Sequence, residues 1–156
     1  MIENFAKGLR CRGTVEGVDL KTGEVVFKKK NMFVQAGLNE IAKMVAGQEG
    51  AVPAYIAVGT SNTEPTSADT TLKGTELGRK AFEDVEITDS SIKYSASFLA
   101  GEASGAWEET GMFSASTGGV MWSRAVTGTY TKKDKDEIKI FWTYEFEDAS
   151  STQSPS

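Results

Sequence analysis

The segment 137–147 constrains the fold more than any other. Ile138, Ile140, Trp142, Tyr144 and Phe146 recur at every second position, with Lys139, Thr143 and Glu145 between them. Successive side chains of a strand point to opposite faces, so this spacing gathers the large apolar groups on one side and polar groups on the other. A helix would scatter the same residues around its circumference. A strand of this kind needs partners beside it and a second layer over its apolar face.

The rest of the chain supplies both. Residues 9–20 and 24–30 read as strands of an N-terminal hairpin spanning 9–30, and Gly23 suits the left-handed position of its turn. Within it, Val25 and Phe27 share one face, and Val26 and Lys28 the other. Residues 54–59 form a short apolar strand between Pro53 and Gly59. The loop 60–75 is rich in Thr, Ser and Asp and belongs on the surface. Residues 79–88 and 91–100 read as a hairpin turning at Asp89 and Ser90, with Ile92, Tyr94, Ala96 and Phe98 opposed by Lys93, Ser95 and Ser97. Two further strands, 107–114 and 119–127, join through Gly118 and Gly119.

One helix is expected, over 35–47. Leu38, Ile41, Ala42 and Val45 fall on one face, while Asn39, Glu40 and Lys43 point elsewhere. Gly47 is placed to end it in a left-handed cap. Gly37 costs up to about 1 kcal/mol against alanine unless it lies in the entry turn. Seven or eight short strands and one short helix predict a mostly β chain, a two-layer antiparallel β-sandwich of jelly-roll-like type. It occupies 1–147 as a single domain, and 148–156 is a frayed polar tail.

Composition narrows the chemistry. A chain of 156 residues is long enough to bury roughly 70% of its unfolded surface without disulfides. The lone Cys11 has no bridge partner, and with no histidine in the chain nothing of that type activates it. The absence of histidine also removes Ser-His and Cys-His nucleophile pairs and histidine-bearing metal sites. Glu102, Glu108, Glu109 and Asp84 remain as carboxylates for sugar-type hydrolysis, but adjacent Glu108 and Glu109 on a strand face opposite ways and cannot act as a pair. No catalytic residue, cofactor or metal site is therefore expected. Asp134 and Asp136 alternate, yet Lys132, Lys133 and Lys135 surround them and repel a cation. The glycines of 101–105 and 117–119 sit between strands, as turn positions and not as a phosphate cradle before a helix.

A net charge of −5 argues against direct binding to nucleic acid, which needs a basic stripe. The run Lys28-Lys29-Lys30 reads as a solvated sheet edge that discourages strand pairing. No apolar stretch approaches a membrane span or a secretion signal, so the expectation is a protein made in the cytoplasm with no membrane partner. Trp142 and Tyr144 belong to the core. Trp107 or Trp122 is a candidate for a subunit contact or a carbohydrate-stacking platform.

A resemblance is carried by Asn31 and Gly37 to Ile41, then Tyr55-Ile-Ala-Val-Gly-Thr60, Pro65, and Asp69 to Leu72. It continues through Leu77, Arg79, Ala100 to Glu102, Glu109 to Phe113, Gly118-Gly119, Arg124-Ala125 and the strand around Trp142. This order of motifs resembles tailed-bacteriophage virion proteins of the tail-fibre or tail-collar-fibre particle-binding type. The resemblance implies a non-enzymatic structural part of a virion, docking on the tail, neck or fibre attachment region. Its partners would be other virion proteins and further copies of itself in a homo-oligomer. Residues 148–156 do not read as a fibre shaft, so the expectation also admits capsid decoration (a cement protein) or a receptor-binding module. The hairpin 9–30 and the loop 60–75 are the expected contact elements.

Overall fold

A computed structural model describes residues 8–149. In chain order the elements are β1 (Leu9–Asp19), β2 (Val25–Lys30), β3 (Met32–Phe33), α1 (Gln35–Val45), β4 (Tyr55–Gly59), β5 (Glu76–Ala81) and β6 (Asp84–Thr88). There follow β7 (Ser91–Phe98), β8 (Gly105–Phe113), β9 (Met121–Lys132) and β10 (Ile138–Asp148). Among the described residues these strands form two five-stranded sheets, ordered β2-β1-β10-β7-β6 and β3-β9-β8-β4-β5. Neighbouring strands pair antiparallel throughout. The two-layer antiparallel sandwich expected from the alternation is the observed architecture.

The terminal strand lies where its pattern requires. β10 sits in the middle of the first sheet, between β1 and β7. Its Ile138, Ile140, Trp142 and Tyr144 are fully buried against a cluster that includes Trp107, Met112 and Trp122 of the second sheet. Trp142 Nε1 donates to Asn31 Oδ1 at 2.8 Å, so the polar end of the ring is also satisfied.

β4 is buried on both faces, which explains why its sequence is continuously apolar. Ile56 and Val58 point into the core between the sheets. Ala57 points the other way, into a smaller cluster with Val34, Leu72, Phe113 and Met121. Leu72 belongs to the loop 60–75, so part of that loop is a lid over the outer face of the second sheet.

Three expectations need correction. Residues 79–88 are not one strand: β5 lies in the second sheet and β6 in the first. The chain crosses between layers at Phe82 and Glu83, whose N–H groups donate to Ala54 and Ser95 carbonyls. The helix is rotated from its predicted face. Gly37 and Glu40 are buried, and Ile41 and Met44 half-buried, whereas Ala42 is exposed and Val45 is 83% exposed. The cause is close approach: a Cβ on Gly37 would lie 2.7 Å from Trp122 Cα, so only glycine lets the first turn rest on β9. The polar tail begins later than residue 148, since Asp148 pairs with Leu9 and Ala149 N–H donates to Gly8 O at 2.8 Å. Residues 1–7 and the remaining tail, 150–156, lie outside the described residues.

Several local readings hold. Gly23 and Gly47 have φ of 79° and 83°, the turn and helix-end conformations expected of them. Gly101, Gly118 and Gly119 likewise have positive φ between strands, and Gly105 has it as the first residue of β8. β2 is an edge strand and Lys28, Lys29 and Lys30 are exposed on it. Among the described residues no helix is long and apolar enough to cross a membrane.

Candidate functional site

The loop 60–75 is held by a buried ion pair. Glu109 of β8 and Arg124 of β9 are both fully buried, and Arg124 Nε donates to Glu109 Oε1 at 2.9 Å. Glu109 stands directly opposite Gly59, the last residue of β4, so its carboxylate lies beneath the start of the loop. A Cβ on Gly59 would come within 2.7 Å of Glu109 Oε2, so glycine at the strand's end leaves room for the carboxylate.

Both ends of the loop then converge on that carboxylate. Ser61 N–H and Gly74 N–H donate to Oε2 at 3.0 and 2.7 Å, and Lys73 N–H donates to Oε1 at 2.8 Å. Arg124 holds the middle: its guanidinium donates to Thr63 O at 2.7 Å and to Ser61 O and Asp69 Oδ2 at 3.4 Å. Buried charges persist only when paired and hydrogen-bonded on every side. Here the loop backbone supplies those partners, so burying the pair and fixing the loop are one event.

Asp69 extends the clamp. It accepts from Thr66 N–H and Oγ1, both at 3.0 Å, and pairs with Lys73 Nζ at 3.3 Å. Burial pushes the Asp69 carboxyl up, but the Thr66 and Lys73 contacts outweigh it and hold the group below its ordinary value. Gln35 N–H donates to Ser67 O at 2.8 Å, tying the loop to the start of α1. Asn62, Thr63, Glu64, Thr66 and Ser67 are left exposed on this fixed base.

A second anchor adjoins the first. Arg79 of β5 donates through Nη1 to Ala115 O and Gly118 O at 2.8 and 2.9 Å, and its guanidinium lies 3.9 Å over the Phe113 ring. It thereby holds the 114–120 connection against β5. Thr70, Thr71, Gly118 and Gly119 line one shallow depression together with Arg79, so the two clamped loops form a continuous face.

Other candidates fall differently. Trp107 and Trp122 are 0% and 3% exposed, with indole N–H groups donating to Ala103 O and Ala51 O. Neither ring is available for sugar stacking or a subunit contact. Glu102 pairs with Lys80 at 2.9 Å, Glu108 accepts from Thr129 Oγ1 at 2.9 Å, and Asp84 lies exposed on β6. Each carboxylate has its own surroundings, and Glu109 is committed to Arg124. Glu40, expected on an outward face, is buried and accepts from Ala51 N–H at 2.7 Å and Lys43 Nζ at 3.0 Å. Cys11 is half-buried in β1, and burial pushes its thiol up. The hairpin 9–30 is integral to the first sheet, with β2 at the sheet's edge beside β9.

A second surface lies where the sandwich opens beside α1. Ile41, Met44, Val52, Tyr94, Tyr144 and Phe146 line an apolar groove of about 530 Å³ there, and Val85 of β6 reaches its rim.

No protein-family model matches the chain, and neither a characterised protein nor a solved structure matches it.

Proposed function

We propose that the chain is a non-enzymatic structural protein of a tailed-bacteriophage particle, a homo-oligomeric building block docking at the tail, neck or fibre attachment region. One observation carries the reading. The separate motifs of the resemblance, Gly59-Thr60, Asp69 to Leu72, Arg79, Glu109 to Phe113, Gly118-Gly119 and Arg124, meet in space at the two clamped loops. Among them Asp69, Arg79, Glu109 and Arg124 spend their side chains on fixing loop backbone. A face held this way loses little conformational entropy when a partner binds, which is what a docking surface requires.

Glu102, Glu108 and Glu109 are tied to separate partners, Asp84 lies exposed on β6 away from them, and the chain has no histidine for general acid–base work. Contacts of modest strength add up when repeated by symmetry, so an assembly role needs no single tight site.

The test is to locate an epitope-tagged copy on intact particles by electron microscopy. Label at the tail, neck or fibre base is the expected result. Label spread over the head shell would replace docking with capsid decoration, and particles without label would overturn the reading.

A further inference from the structure

The two edges of the first sheet carry opposite charge. At one edge β6 reads Asp84-Val85-Glu86-Ile87-Thr88 and is exposed along its whole length, with Val85 48% and Ile87 74% exposed. At the other edge β2 ends in exposed Lys28, Lys29 and Lys30. The sheet order is β2-β1-β10-β7-β6 with every neighbour antiparallel, so β2 and β6 run in the same direction.

The charges also share a face. Glu86 pairs in register with Lys93, and Lys28 with Glu16. Lys28, Lys93 and Glu16 line one depression on the outer side of the sheet. Alternation along each strand places Asp84 and Lys30 on that side too. Val85 turns inward to the apolar groove, on the side of the sheet where Phe27 is buried.

We propose that β6 of one copy adds as a parallel strand to β2 of the next, continuing the sheet head to tail. An exposed edge with alternating apolar residues and no lysine, proline or bulge is a template for another strand. Like-edge pairing is opposed, because β6 on β6 brings carboxylates together and β2 on β2 brings lysines together. Cross-pairing instead sets Lys28 and Lys30 against Asp84 and Glu86 on the outer side. On the inner side it brings Val85 and Ile87 beside Phe27 and the aliphatic stem of Lys29. The lysine run that repels an ordinary edge thus selects an acidic one. The contact is heterologous: it closes into a ring if the rotation between copies permits and otherwise grows into a filament. This deepens the assembly reading, on which it rests for many copies being gathered at one place.

Sedimentation velocity across a concentration series tests it with two charge-reversed variants, Asp84→Lys/Glu86→Lys and Lys28→Glu/Lys30→Glu, whose folding is checked by thermal melts. The wild type should self-associate, and more weakly at about 1 M salt, where the screening length is about 3 Å. Each variant alone should associate about tenfold or more weakly, since like charges then face each other. An equal mixture should recover association, because the reversed β6 of one variant matches the reversed β2 of the other, and their unaltered edges match as in the wild type. A wild type that stays monomeric, or a mixture of folded variants that does not recover, overturns the proposal. So does an association that only the β6 variant disturbs, which marks like-edge pairing. Particles that take up the β2 variant as fully as the wild type would overturn edge pairing and leave the proposed location standing. Edge-dependent association of a protein that particles do not carry would do the reverse.

Discussion

Arg124 and Glu109 face each other across β8 and β9 at 2.9 Å with neither side chain reaching solvent, and Glu109 also accepts three loop N–H groups. Removing one partner of a buried pair strands the other charge, at a cost of about 3–5 kcal/mol. Arg124→Met should lose stability of that order in denaturant unfolding. The Ser61, Lys73 and Gly74 amides should exchange hydrogen faster as their acceptor is disturbed. A variant with unchanged exchange at those amides would show that the loop keeps its shape without the pair.

Gly37 separates local propensity from packing. By propensity alone, Gly37→Ala should stabilise α1 by up to about 1 kcal/mol. The new Cβ would instead meet the Trp122 backbone, with Cα at 2.7 Å and O at 2.8 Å, and backbone yields less readily than a side-chain tip. The expected outcome is destabilisation of about 1–3 kcal/mol, as for overpacking. A rise in Tm would mean that α1 shifts freely on β9.

These two positions mark where the sequence was legible. Alternation along β10 and β7 is set by burial alone, so Trp142 and Phe98 could be assigned to the core from spacing. The helix face could not. Its orientation depends on a contact between Gly37 and Trp122, far apart in sequence, and on Glu40 burying its carboxylate under the Ala51 N–H. The ion pair was hidden for the same reason. Glu109 and Arg124 look like ordinary strand charges until β8 and β9 are placed side by side, and three of the carboxylate's partners are backbone groups that carry no sequence signal. The division of 79–88 between two sheets was also illegible, because each half alternates acceptably as a strand.

Trp142 is fully buried between the sheets, and its ring N–H is held by Asn31. Trp142→Ala removes a large core side chain and leaves Asn31 Oδ1 without that donor, for an expected loss of about 3–5 kcal/mol. Equilibrium unfolding measures it directly. A near-neutral result would contradict the burial of the ring.

Gly13 tests the same arrangement from the other side. A Cβ there would collide with the Asn31 carboxamide, which lies over Gly13 and holds the Trp142 ring. Gly13→Ala must push Asn31 away or bend β1, so a loss of about 1–3 kcal/mol is expected. Paired with Asn31→Ala in a double-mutant cycle, most of that loss should disappear, because the obstruction is gone. Strict additivity would place the strain elsewhere.

Glu40 contributes one part of the pH dependence of stability. Its carboxyl is held below the ordinary 4.5, first by the Ala51 N–H and then by Lys43. A depressed folded-state value means that the ionised form is preferred in the native protein. The stabilisation is complete above the unfolded-state value and is lost as the pH falls through the lower folded one. Glu40→Gln removes the charge while keeping an oxygen acceptor, so wild type should melt above the variant at neutral pH. Below pH 4.5, the unfolded reference, the gap should narrow toward zero as the wild-type carboxylate takes up its proton. Thermal melts of both proteins across the acid range measure it, and a gap that stays constant would show that the Glu40 contacts do not favour the charged form.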